Sequence, residues 1–300
     1  MNIAIFQGIS EYHYDHIGYV IEYVVQRKPT SKLSLFVHFN HHSDDYVKFY
    51  KKLYGETFDV KHINEFNVNN FDCTFLVTDD DQFFPHNISM NKVIVINHDA
   101  RVRRYDGIYF ISTRNMPTPF PWALTHFQYI DYNTKLKYIS DVQNPVISCL
   151  GLGGTAPLEF YMSLLERFPD ITINVIGRHA NVPTTDRLKC YRNVPVEVVY
   201  EVCSKSTHML CYSMVKPFDK LMSGSVAVAF CTGCQLIMPE IYNYDFESKI
   251  YYNSVDDIKI PSVQDFKDNI LSIVYKDQKR LTDDRNRVFD ETIENIVANS

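Results

Sequence analysis

Apolar runs of strand length alternate with stretches of helical periodicity along nearly the whole chain, and they do so twice, on either side of a proline-rich break. In the first half, residues 2–6, 33–39, 60–63, 71–77, 92–96 and 107–112 read as strands. The strongest of them are apolar almost without interruption rather than alternating, as strands covered on both faces are. Between them, residues 16–26 carry apolar side chains at 17, 20, 21, 24 and 25, the spacing of one helix face, with Asp15 placed to cap it. Residues 44–54 read as another helix, with Asp44 and Asp45 at its start and Gly55 just past its end. Strand and helix in regular succession imply a parallel sheet with helices on both faces.

The segment 115–121, NMPTPFP, packs three prolines into seven residues and interrupts regular structure. The pattern then restarts. Residues 145–150 read as a strand, 151–154 (GLGG) as a turn, 156–168 as a helix and 171–176 as a strand closing in Gly177-Arg178. Residues 196–199, 209–212 and 235–238 continue a second parallel sheet, and 263–275 and 281–298 are amphipathic helices. Three hundred residues are enough for two separate cores. The expected fold is therefore α/β, with two doubly wound, Rossmann-like domains facing a central cleft. The first spans 1–140 and the second 141–275, with 276–300 a helix packing back across the junction.

Composition narrows the function classes. A hydrophobic fraction of 45% with 22% charged residues belongs to a globular chain. The net charge is −6 and the densest basic group is Arg101-Val102-Arg103-Arg104, so the electrostatic drive for a nucleic-acid partner is missing. The seven cysteines are odd in number and lie mostly in apolar segments, which favours buried free thiols in a reducing compartment. Cys231-Thr-Gly-Cys234 has the spacing of a redox or zinc pair, yet it falls at a helix end, and no second pair accompanies it. The chain opens on an apolar strand without a basic leader, and no apolar run reaches 18 residues. A soluble, cytoplasmic protein without a membrane span is expected.

Residues 204–247 hold the densest chemistry. An apolar segment leads to Lys216-Pro217, then Ser223-Gly224-Ser225 opens a hydrophobic helix, and a buried strand ends in Pro239-Glu240. Such a helix start offers unpaired N–H groups and the positive end of the dipole to a phosphate. Arg178 at a strand end suits a bidentate phosphate contact, and Glu240 suits the hydroxyls of a ribose or sugar. GLGG sits between strand and helix, as a phosphate-binding turn does, but it is not GxGxxG. The acidic residue expected about 20 positions later is replaced by Ile176-Gly177-Arg178, which disfavours a nicotinamide cofactor and a dehydrogenase. In the first half, Asp79-Asp80-Asp81, His98, His13 and His16 all follow strands, and so belong to one sheet edge. The three aspartates suit a general base or Mg²⁺. His38, His41 and His42 read as a polar loop rather than a metal site.

Taken together, FQG at 6–8, GLGG at 151–154, IGR at 176–178 and KPFDKLMSGSVAVAFCTGCQLIMPE at 216–240 resemble the GT-B class of glycosyltransferases, and among them small enzymes encoded by large DNA viruses. The resemblance implies transfer of a hexose or pentose from a nucleotide diphosphate sugar, a UDP-sugar first, to a hydroxyl of a glycan or glycoprotein acceptor. For a viral protein the location would be the host cytoplasm. It assigns Gly153, Gly154, Arg178, Lys216, Ser223, Gly224, Ser225 and Glu240 to the donor, and Asp79, His16 or His98 to catalysis. It implies no cofactor beyond the nucleotide sugar, with Mg²⁺ tolerated but not required. Glu240 and Glu247 do not match the two glutamates of some retaining members, which leaves the stereochemical course open. A nucleotide-sugar epimerase and a non-catalytic glycan-binding or structural protein of the same fold are the alternatives.

Overall fold

The computed structural model describes residues 1–7, 17–77, 92–97, 109–112, 126–151, 156–178, 180–212, 224–240 and 245–299. Two compact units result, Met1–Phe127 with Leu281–Ser300, and Gln128–Arg280. Each is built on one sheet, six-stranded among the described residues, with every paired strand parallel. No helix among those residues is long and apolar enough to cross a membrane.

In the first unit, β1 (Asn2–Phe6), α1 (Ile17–Arg27), β2 (Lys32–Val37), α2 (His41–Tyr54), β3 (Asp59–His62), β4 (Cys73–Leu76), β5 (Val93–Asn97) and β6 (Tyr109–Ser112) give the sheet order β3-β2-β1-β4-β5-β6. β1 is buried from Ile3 to Phe6, as an inner parallel strand must be. Eight consecutive residues of α1, Ile17 to Val24, are buried, so this helix is covered all round rather than along one stripe. Gly18 makes part of that possible, since a Cβ there would come within 2.8 Å of the Phe127 ring and closer still to Tyr50. Asn40 caps α2 by accepting from Ser43 N–H at 2.9 Å, which starts the helix at His41. His41 and His42 therefore belong to a helix start rather than to the expected loop.

The second unit contains α3 (Tyr132–Tyr138), β7 (Val146–Leu150), α4 (Leu158–Arg167), β8 (Thr172–Gly177), β9 (Leu188–Arg192), α5 (Val196–Ser204), β10 (His208–Leu210), α6 (Gly224–Thr232), β11 (Gln235–Pro239), β12 (Ile250–Tyr252) and α7 (Val263–Asp265). A π-helical segment, Phe266–Ile270, leads into α8 (Leu271–Ala298), whose last part belongs to the first unit. The sheet order is β12-β11-β10-β7-β8-β9. Renumbered from β7, it repeats the order of the first sheet, the doubly wound pattern of dinucleotide-binding folds.

Two sequence expectations are corrected. Residues 196–199 form the start of α5, not a strand. Pro195 occupies the N-cap, Glu197 lies in the first turn, and Val196, Tyr200 and Cys203 recur at helical spacing on the buried side. The strand in that region is β9, which lies at the sheet edge and is buried fully only at Leu188. Residues 276–280 do not separate two helices either, since α8 runs through them. Asp277, 2% exposed, turns inward there to accept from Glu247 N–H, Ser248 N–H and Ser248 Oγ.

Candidate functional site

In a doubly wound sheet, ligands bind beyond the carboxyl ends of the strands, at the point where strand order reverses. Those points are β1/β4 in the first sheet and β7/β10 in the second. In the first, Gln7 continues β1 and is buried, with its N–H donating to Phe36 O at 2.9 Å, while Val77 N–H donates to Phe6 O at 3.0 Å. The candidate catalytic residues Asp79, His16 and His98 lie outside the described residues.

The second reversal point carries the geometry. β7 ends in Leu150, and Gly151 continues it, its N–H donating to Ile176 O of β8 at 3.0 Å. Gly177 ends β8, and a Cβ on it would run into the Gly151 carbonyl oxygen. A glycine is thus required for the two strand ends to close together, and half-buried Arg178 follows directly on β8. α6 packs on β7, β10 and β11. Its first turn is tied to β7 directly: buried Ser225 donates its hydroxyl to Leu150 O at 2.6 Å. The start of α6 is therefore held at the end of β7, in the reversal region of the second sheet.

That bond changes the role open to Ser225. Its hydroxyl proton is committed to the backbone, so the hydroxyl is not a donor to an anion in this arrangement. Glu240 follows β11 on the same edge, and its Oε2 accepts from Asn253 Nδ2. Along this edge stand Asn253 after β12, Glu240 after β11, Gly151 after β7 and Arg178 after β8, with the α6 start fixed at β7. Gly153, Gly154, Lys216 and Ser223 lie outside the described residues, and of Gly224 only the backbone, opening α6, is described. Asn253 had no signal in the sequence, because its nearness to Glu240 depends on β12 pairing in register with β11, Pro239 opposite Tyr252.

All seven cysteines are free, and six are buried. Burial pushes the thiols of Cys73, Cys149, Cys203 and Cys211 up. Cys231 and Cys234 are no exception in placement: Cys234 Sγ donates to Cys203 O at 3.1 Å behind the end of α6. Among the described residues, no group of His, Cys, Asp and Glu could hold a metal ion. His38 instead packs its ring against His62, with centroids 5.5 Å apart.

No family model matches the chain, and no curated protein sequence does. Solved structures match along the full length. The T4 phage BGT in complex with UDP and Mn²⁺ superposes with a TM-score of 0.52 at 13% identity, covering 98% of this chain and 99% of that one. A UDP-GlcNAc 2-epimerase from Neisseria meningitidis bound to UDP-GlcNAc gives 0.52 at 13% identity, covering 97% and 99%. A second structure of the T4 phage beta-glucosyltransferase gives 0.50 at 13%, covering 98% and 99%. The architecture is thus the GT-B fold, as the sequence pattern implied. A transferase and an epimerase share it, so the fold alone does not choose the reaction.

Proposed function

We propose that the protein is a glycosyltransferase that moves a sugar from a nucleotide diphosphate sugar, a UDP-sugar first, to a hydroxyl of a glycan or glycoprotein acceptor. The observation that carries this reading is the Ser225–Leu150 bond, which seats a helix start at the reversal point of the second sheet. Arg178 and Glu240 share that edge, one cationic and one anionic, as a diphosphate and a hydroxyl-bearing sugar require. On this reading the α6 N–H groups of Gly224 and Ser225, with Arg178, Lys216, Ser223 and the Gly153-Gly154 turn, take the diphosphate. They stabilise the charge that grows on it as the glycosidic bond breaks. The first unit takes the acceptor, and Asp79, His16 or His98 accepts its proton. No cofactor beyond the donor is assigned; Mg²⁺ is tolerated without being required. Both the T4 phage and the Neisseria structures hold uridine nucleotides, which supports UDP as the first donor to try.

The test is thermal stability against UDP-, GDP-, TDP- and CMP-sugars, NAD and NADP, with EDTA, Mg²⁺ or Mn²⁺. A ligand that binds the native state raises its melting temperature. A rise with UDP or a UDP-sugar in EDTA is expected, and Arg178→Ala should weaken UDP binding roughly 10- to 100-fold, as loss of a charge-assisted hydrogen bond does. A shift with NAD alone, or with none of the nucleotides, would sink the proposal. Because an epimerase shares the fold at the same TM-score, the product must then be identified. Conversion of the donor's sugar without any acceptor favours the epimerase. Transfer to duplex DNA rather than a glycan would overturn the acceptor assignment.

A further inference from the structure

We infer that Asn253 is a positioning residue, which holds the Glu240 carboxylate in the one orientation where it accepts a hydroxyl of the nucleotide's ribose. The inference rests on the nucleotide-sugar reading above and extends it to a residue and to a part of the ligand.

Glu240 is an exposed side chain at a strand end, and a glutamate so placed loses rotamer freedom whenever it engages a ligand. Here that freedom is restricted in advance, because Asn253 Nδ2 donates to Glu240 Oε2. Asn253 is itself fixed from both sides. Before it, buried Tyr252 donates its hydroxyl to Cys211 O at 3.0 Å, pinning the end of β12 to the end of β10 at the reversal point. After it, one Asp257 carboxylate oxygen accepts Asn253 N–H at 3.0 Å, Ser254 N–H at 2.8 Å and Ser254 Oγ at 3.2 Å. The backbone N–H of Ser254 and that of Asn253 hold the Asp257 carboxyl below the usual carboxylate range. Neighbouring Asp256 takes Arg167 Nη1 of α4 at 2.9 Å. The backbone that carries Asn253 is thus held on one side at the end of β10 and on the other by Asp257, and Asn253 in turn holds Glu240 Oε2. With Oε2 occupied, Oε1 is left as the acceptor, and a preorganised acceptor binds without the ordering cost.

A bond that merely joined β11 to β12 would matter equally for every ligand. The experiment therefore compares the affinities of UDP and 2′,3′-dideoxy-UDP, by calorimetry on the full chain, for the unaltered protein and for Asn253→Ala, Asn253→Asp and Glu240→Ala. The unaltered protein should prefer UDP by about tenfold, the worth of a hydrogen bond to a charged group. In Asn253→Ala the preference should fall toward one while the dideoxy analogue binds as before. Asn253→Asp, isosteric but without the donor and with a like charge, should behave the same, and it serves if the alanine protein does not fold. Equal weakening of both ligands in the Asn253 variants, or a preference lost in Glu240→Ala but kept in them, overturns the inference and leaves the nucleotide reading standing. Absence of UDP binding by the unaltered protein removes both.

Discussion

Among the described residues, each unit buries a cationic side chain completely, and the two do so by opposite chemistry. In the first, Arg285 of α8 donates through Nη1 to Glu22 Oε2 of α1 and to His126 O, each at 2.8 Å, while Nε and Nη2 reach Asn286 Oδ1 at 3.1 and 2.9 Å. In the second, Lys135 of α3 meets no carboxylate. Its Nζ lies 3.0 Å from Ser204 O, 2.5 Å from Ser206 O and 3.6 Å from Cys234 Sγ. A guanidinium cannot shed its proton in a protein, so it must be buried with a counter-charge. An amine can lower its pKa instead, and burial drives that of Lys135 down. The surroundings follow suit. Around Arg285 the helices meet through rings, Phe289 lying 5.0 Å from Tyr23 and 5.2 Å from Phe75 between centroids. Around Lys135 the sheet face is polar: Ser148 Oγ lies 2.8 Å from Ser206 Oγ, which donates on to Val202 O. One topology thus tolerates two interiors, because each buried cation finds partners suited to its chemistry.

The sharpest way to break the contrast is to remove one counter-charge. Glu22→Ala strands Arg285 in the interior and should cost about 3–5 kcal/mol, whereas Glu22→Leu combined with Arg285→Met should recover most of it. Urea unfolding, with hydrogen exchange resolved by unit, measures both; a single variant as stable as the parent would show that water or another group already compensates Arg285. Lys135→Met should cost less, about 1–3 kcal/mol, since it strands two carbonyls rather than a charge. Exchange protection should fall in the second unit and not in the first. Equal losses in both units would mean that they unfold as one, and the comparison would lose its basis.

The periodicity of the chain exposed all six strands of the first sheet and the inner strands of the second, but neither edge of the second. β1, β2, β5, β7 and β8 are buried parallel strands, so their apolar runs were readable in isolation. β9 and β12 are edge strands, each with a single buried residue and no run to find. The valines at 196, 198 and 199 suggested a strand by propensity, and the Pro195 start and inward Tyr200 and Cys203 overrode it. At the candidate site, Arg178, Ser225 and Glu240 were readable because each adjoins a strand end or a helix start. That the Ser225 hydroxyl is consumed by Leu150 depends on a partner 75 residues away, and that Asn253 reaches Glu240 depends on strand register. Lys135 lay in a stretch with no pattern at all. Tertiary partners of this kind leave no periodic trace.

The second unit holds another buried base, and this yields the smallest of the expected effects. His208 is fully buried in β10, with Nδ1 2.7 Å from Thr207 Oγ1. Thr207 Oγ1 donates its own proton to Val146 O, so the imidazole must supply the hydrogen from Nδ1. The ring is thus a neutral donor, and burial lowers its pKa from 6.5 to about 3. A histidine whose folded pKa lies below its unfolded one binds its proton only on unfolding across that window. Stability therefore falls as the pH drops through 6.5 and goes on falling until about 3. From roughly pH 7 to 5.5 the loss is about 1 kcal/mol, small enough to need a matched control. His208→Gln should flatten that slope for the second unit. A second unit whose stability is level between pH 7 and 5.5, or a slope untouched by the substitution, would mean that His208 is charged or reached by water in the native state. Only Lys135 would then set the interior of the second unit apart from that of the first.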